Sequence, residues 1–139
     1  PGQSAKPLAK IASGGELSRI SLAIQVVIAT TSITPSLIFD EVDVGIGGAT
    51  AEIVGRLLSQ LGQHCQLLCI THLPQVASQA QYHLQVSKSN NGEATQTQVS
   101  ALDEDQRIQE IARMLGGVKL TQQTLAHAKE MLGTGALLH

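Results

Sequence analysis

Asp40 and Glu41 close a short, mostly apolar run, Ser36-Leu37-Ile38-Phe39, and a third carboxylate, Asp43, follows at the head of the glycine-punctuated loop Val44-Gly45-Ile46-Gly47-Gly48. Carboxylates are seldom buried without a partner, so this cluster calls for a cation, a network of donors, or water. An apolar strand ending in Asp is how nucleotide triphosphatases hold Mg²⁺, and a Glu beside it can take a proton from attacking water. His72 stands just past a second apolar run, Gln66-Leu67-Leu68-Cys69-Ile70-Thr71. A metallohydrolase using Asp40, Glu41, Asp43 and His72 would need a further metal ligand, and none is obvious in the sequence.

A second constellation is Ser13-Gly14-Gly15-Glu16. Two glycines let a backbone approach an anion closely, and the start of a helix offers free amides and the positive end of a dipole. Such a segment can bind a terminal phosphate; Ser-Gly-Gly on its own reads more readily as a glycine-containing helix cap, but followed by a long apolar helix and an Asp-Glu strand end it favours the phosphate reading. Gly45-Ile46-Gly47-Gly48-Ala49-Thr50 has the look of a dinucleotide loop but fails as one. Thr50 occupies the third glycine position, and an acidic strand end precedes the loop. No Gly-x-x-x-x-Gly-Lys-Ser/Thr phosphate loop occurs in the chain: of Lys6, Lys10, Lys88, Lys119 and Lys129, none follows a glycine. That loop would carry most triphosphate contacts. His64, His83, His127 and His139 show no ligand-like spacing.

The elements that must position these groups can be read from periodicity. Ser13 and Glu16 fit a capping box, and Leu17, Ile20, Ile24, Val27 and Ile28 recur at helical spacing, so a helix is expected to about Thr30. The run ending at Asp40 reads as a strand buried on both faces. Ile53, Val54, Leu57, Leu58 and Leu61 mark a helix from about Ala49 to Leu61, closed by Gly62, and residues 66–71 read as the next strand. Strand, helix and strand in so short a span make one βαβ unit with parallel strands. His72 is thereby expected on the same sheet edge as Asp40 and Glu41, where open α/β sheets bind their ligands. Further on, Pro74 suits the first turn of a short helix to about Ala80. Tyr82–Ser87 and Ala94–Ala101 alternate as a hairpin around Ser89-Asn90-Asn91-Gly92. Asp103 and Gln106 cap a helix whose Ile108, Ile111, Ala112 and Leu115 share a face and which ends at Gly116-Gly117. A last helix runs from about Thr121 to Leu132, and the tail beyond Gly133 is expected to fray.

Bulk properties narrow the field. The 139 residues suit one domain or one lobe of a larger one, and 42% hydrophobic content supplies a core of Leu, Ile, Val and Ala. Aromatic content of 1%, from Phe39 and Tyr82, disfavours a base-stacking nucleic-acid module, and a net charge of −2 leaves no basic footprint. Cys65 and Cys69 alternate onto one strand face, too far apart to pair, as buried free thiols of a reducing compartment. With no signal peptide and no apolar run of membrane-spanning length, a cytoplasmic protein is expected, without membrane contact. The chain begins at Pro1 rather than Met, as an excised or processed piece would.

The order of a Ser-Gly-Gly-Glu helix, a strand ending in Asp-Glu and a strand ending in Thr-His resembles the C-terminal lobe of an ABC-type ATPase head. Ile11 to Arg19 looks like the ABC signature, Leu37 to Glu41 like Walker B, Val42 to Gly45 like the D-loop, and His72 like the switch histidine. The wording of residues 12–19 (Ala-Ser-Gly-Gly-Glu-Leu-Ser-Arg), 39–48, 71–77 (Thr-His-Leu-Pro-Gln-Val-Ala) and 110–117 is similar to that of the RecN family, bacterial SMC-like DNA repair ATPases. The resemblance covers nearly the whole chain. It implies an α/β fold, with parallel strands flanked by helices plus a peripheral β-hairpin, residues 1–10 being a linker or incoming loop and 11–139 the lobe.

In function it implies repair of DNA double-strand breaks and recombination, ATP with Mg²⁺ as cofactors, and a cytoplasmic protein that joins the nucleoid when acting on DNA. The implied partners are an N-terminal Walker A lobe of the same protein, a second head in a homodimer, and DNA. By the same resemblance Asp40 holds Mg²⁺ through water, Glu41 orients and deprotonates the attacking water, and His72 contacts the γ-phosphate. Ser13, Gly14, Gly15 and Glu16 form the signature that meets the nucleotide held by the partner head, and Asp43 couples the two sites across the dimer. Transporter ATPases usually have Gln after Ser-Gly-Gly and a different D-loop, which sets them further off. The alternatives are a lobe of another SMC-like or ABC ATPase, or a non-catalytic module that recruits a partner strand at an exposed sheet edge.

Overall fold

The computed structural model describes residues 23–24, 27–28, 35–40, 43–90, 95–117 and 120–136. The linker expected over residues 1–10, the capping box at Ser13 and Glu16, and Glu41 lie outside them. Ala23, Ile24, Val27 and Ile28 are helical, at the spacing expected of the first helix, and Ile24, Val27 and Ile28 are solvent-exposed. The chain divides into two compact units, Pro1–Leu73 and Pro74–His139.

In the first unit, Ser36–Phe39 forms strand β1, Gly48–Leu61 helix α1 and Gln66–Cys69 strand β2. The strands pair in parallel, in a register that sets Ser36 opposite Gln66 and Phe39 opposite Cys69. This is the βαβ unit that the apolar periodicity predicts. Along α1 the buried stripe is Ala51, Val54, Gly55, Leu58 and Leu61, a spacing of three and four residues. Ile53 and Leu57, expected on that face, lie on its flank and are exposed. Gly62 ends the helix in ordinary right-handed backbone, its N–H bonding the Leu58 carbonyl at 2.9 Å.

The expectation that β1 is buried on both faces is corrected. Phe39 is 2% exposed, but Ile38 is 71% exposed and its neighbour Leu68 47%. Successive side chains on a strand point to opposite faces. Leu37, Phe39, Leu67 and Cys69 occupy the covered side, while Ser36, Ile38, Gln66 and Leu68 occupy the open one. Two strands are all this sheet has among the described residues, and one covered face suffices to hold them. The thiols are corrected as well. Cys65 precedes β2 instead of lying in it, and both cysteines are half-buried, though free as expected.

In the second unit, Pro74–Ala77 forms the short helix α2, Leu84–Asn90 and Thr95–Ala101 the antiparallel strands β3 and β4, and Glu104–Gly116 and Gln122–Ala136 helices α3 and α4. The Asp103 side chain accepts from Gln106 N at 2.8 Å while the Gln106 side chain accepts from Asp103 N at 3.0 Å, a reciprocal cap that satisfies two otherwise free donors. Gly117 ends α3 with φ 75°, a left-handed conformation that glycine adopts without steric cost, and its N–H bonds the Arg113 carbonyl. Thr121 and Thr124 cap the start of α4 in the same reciprocal way, through 2.9 Å and 3.1 Å bonds. α4 continues to Ala136, past the Gly133 at which fraying was expected, because a glycine within a helix weakens it without breaking it.

The core of this unit joins Ala77 of α2 to Ile111 and Ala112 of α3 and Ala128 of α4, with Ile108, Leu115 and Leu125 packed around them. Ile111 is fully buried, which contributes about 2 kcal/mol by removal of its side chain from water. The Arg107 guanidinium donates to the carbonyls of Ala80 and Gln81 at 2.6 Å and 3.1 Å, fixing the segment between α2 and β3. No helix among the described residues is long and apolar enough to cross a membrane.

Candidate active site

Parallel pairing of β1 and β2 makes the chain leave both strands at one edge, and Ile70 N extends the ladder by bonding the Phe39 carbonyl at 2.9 Å. Asp40 emerges there from β1, and Thr71 and His72 follow from β2, as the topology predicts. Asp40 is exposed. Among the described residues it has no hydrogen bond or ion pair, so its carboxylate is available as a hard oxygen donor.

Asp43 sits three residues on, in a turn closed by a 3.3 Å bond from Ile46 N to the Asp43 carbonyl. Gly45, at φ 72°, supplies the left-handed step that this turn needs. The turn folds the Asp43 side chain inward, and the residue is 3% exposed. One of its oxygens, Oδ2, meets three groups of the strand-end segment. The Thr71 hydroxyl donates to it, the His72 backbone N–H donates to it at 3.0 Å, and His72 Nδ1 lies 3.2 Å away. The Thr71 oxygen in turn accepts from Leu73 N at 3.0 Å. The carboxylate is therefore buried with its Oδ2 held by two donors, while the His72 side chain remains 72% exposed.

The negative charge extends to the thiol beside it. Burial first, then the charges of Asp43 and Asp40, push the Cys69 thiol up to about 11, so it remains protonated and inert near neutrality. Among the described residues, which do not include Glu41, no group of three or more His, Cys, Asp and Glu side chains is arranged to hold a metal ion. A single exposed carboxylate with water does fit Mg²⁺, which keeps several waters and takes few protein ligands.

Of the residues singled out in the sequence, the structure thus brings Asp43 and His72 together and sets Asp40 on the same edge. Ser13, Gly14, Gly15, Glu16 and Glu41 lie outside the described residues. Thr71 stands out in the sequence only as part of the Thr71-His72 strand end. The signal for its role is a hydroxyl residue next to a histidine at a strand end, with a carboxylate in the facing loop.

No family model matches the chain. Curated relatives do. It is 59% identical over 132 residues to the DNA repair protein RecN of Vibrio cholerae, a match covering 95% of this chain and 24% of that protein. Identity is 56% over 131 residues to RecN of Haemophilus influenzae, covering 94% of this chain and 24% of the relative. For RecN of Treponema pallidum it is 49% over 135 residues, 97% of this chain and 24% of the relative. The chain spans about a quarter of the length of the curated relatives it matches. Among solved structures, a chain from work on ATP-driven dimerization and DNA-stimulated activation of SMC ATPases superposes with a TM-score of 0.63 at 22% identity, covering 82% of this chain and 68% of that one. The SMC head domain from Thermotoga maritima gives 0.55 at 27% identity, covering 74% of this chain and 37% of that chain. In sequence the chain is similar to a segment about a quarter the length of these RecN proteins, and its fold is that of a lobe of an SMC-type head.

Proposed function

We propose that this chain is the C-terminal lobe of an ATP-hydrolysing head in a RecN-type DNA repair protein, acting in repair of double-strand breaks and recombination once joined to a lobe that carries the phosphate loop. The observation that supports it most is the convergence of Asp40, Asp43 and His72 at one edge of parallel strands, in a chain close to RecN over 95% of its length. In this reading Asp40 holds Mg²⁺ through water, Glu41 takes the proton of the attacking water, and the exposed ring of His72 reaches the γ-phosphate. Bound Mg²⁺ supplies neutralisation of phosphate charge. Ser13, Gly14, Gly15 and Glu16 serve the nucleotide of a second head, and Asp43 lies where the two heads communicate. The protein's own contribution is positioning and electrostatic stabilisation, which dominate phosphoryl transfer. Its setting is the cytoplasm, at the nucleoid when DNA is engaged.

The test is reconstitution. The 139-residue chain alone is expected to hydrolyse no ATP and to bind it weakly, since it has no Gly-x-x-x-x-Gly-Lys-Ser/Thr loop. Mixed with, or fused to, the Walker A lobe of a RecN protein, it is expected to restore turnover, and Glu41→Gln in that assembly to keep ATP binding while stalling hydrolysis. Submicromolar ATP affinity of the lone chain by calorimetry, or unchanged turnover in the Gln variant, would overturn the composite-site reading.

A further inference from the structure

We infer that Asp43 is the positioning residue of His72: its buried carboxylate clamps the backbone and ring of His72 within one chain, so that the ring is held ready at the strand edge. The inference rests on the reading of His72 as the residue that meets the γ-phosphate, and deepens it. Asp43 and His72 are 29 residues apart in sequence, yet Asp43 Oδ2 bonds the His72 N–H at 3.0 Å and lies 3.2 Å from Nδ1 of the same residue. Thr71 adds its hydroxyl to that oxygen and ties itself to Leu73 N, so the segment is gripped at three consecutive residues.

The contrast in exposure gives the arrangement its meaning. The Asp43 side chain is 2% exposed and that of His72 72%. A solvent-facing histidine ordinarily samples three χ1 wells and two ring orientations. Here Nδ1 lies 3.2 Å from a buried carboxylate oxygen, near enough to bias the ring toward the orientation that turns Nε2 to the open side. A carboxylate that only satisfied the turn would have no need of the ring, because the Thr71 hydroxyl and the His72 N–H already partner it.

Two measurements test this. In the 139-residue chain, NMR of the His72 ring nitrogens and side-chain couplings is expected to report one rotamer, which becomes averaged in Asp43→Ala and is partly restored in Asp43→Asn, whose amide oxygen can still accept. Ring signals unchanged in Asp43→Ala overturn the inference, and the Asn variant covers the case in which Ala fails to fold. In the complete ATPase, Asp43→Ala is expected to lower kcat about tenfold with KM for ATP within about twofold, the loss of one orientation among several. In a His72→Ala background the same change is expected to cost no more than about twofold further, since residues acting through one another are not additive. Equal losses in both backgrounds overturn the inference. If His72→Ala leaves hydrolysis intact while Asp43→Ala still frees the ring, the assignment of His72 to the γ-phosphate fails and the positioning stands.

Discussion

Gln85 of β3 donates to Glu110 of α3 across 2.6 Å, so the hairpin meets the helix through its polar face. The register places Leu84 opposite Ala101 and Val86 opposite Val99, and these alternate with Gln85 and Ser100. Leu84, Val86 and Val99 are exposed, whereas Gln85 and Ser100 are half-buried. Glu110 is 8% exposed and is also held by Arg113, whose Nε donates to the same Oε2 at 2.8 Å and whose Nη2 donates to Oε1 at 2.6 Å. An acid on a mostly apolar helix face is thereby made compatible with burial.

Those Arg113 hydrogen bonds hold the Glu110 carboxyl below its ordinary value of 4.5, with burial opposing them and Gln85 assisting. A group whose folded pKa is depressed contributes stability that is present above its unfolded pKa and is lost as pH falls through the folded value. Denaturant midpoints are therefore expected to be flat with respect to this group above pH 4.5 and to fall below it. Glu110→Gln is expected to lose about 1–3 kcal/mol at neutral pH and to remove that part of the acid slope. Urea titrations of both proteins from neutral pH downward check it; parallel curves would assign the slope to other carboxylates.

Gly116, at the end of α3, lies against Thr124 at the start of α4. A Cβ there would lie 2.8 Å from Thr124 Cγ2, too close without a shift. Gly116→Ala is expected to destabilise the protein by about 1–3 kcal/mol despite the better helix propensity of alanine. Thr124→Ser removes the offending methyl and keeps the hydroxyl that caps α4, so the double variant is expected to recover most of the loss. Thermal melts of the two single variants and the double decide this.

Cys69 offers a chemical readout of the candidate site. With its thiol pushed up to about 11 from 9.0, the thiolate fraction near pH 8 falls to about a hundredth of the ordinary one. Alkylation of Cys69 by iodoacetamide at pH 8, followed by mass spectrometry, is expected to run about a hundredfold slower in the folded chain than in urea. Equal rates would mean that neither burial nor the neighbouring carboxylates act on the sulfur.

Elements that depend on neighbours in sequence were legible from the residues alone. The Asp103–Gln106 cap, the helix Glu104–Gly116 and the antiparallel pairing of the hairpin need only local periodicity and turn chemistry. The shared edge of Asp40 and His72 was legible too, because a strand, a helix and a strand admit essentially one parallel arrangement. Recognition of the RecN-like motifs came from wording and order, which require no coordinates.

Tertiary structure alone decided the rest. Periodicity marks an apolar face but not whether anything covers it, so Ile38, Leu68 and the apolar side of the hairpin turned out to be exposed. The meeting of Asp43 with Thr71 and His72, and of Gln85 with Glu110, depends on loop closure between residues 25 to 29 positions apart. Sequence determined which side chains could do chemistry and on which strand ends they stand. Only the fold decided which carboxylate is buried as a clamp and which histidine is left to face solvent, because burial and hydrogen-bond partnership belong to the packed chain and not to any local stretch of it.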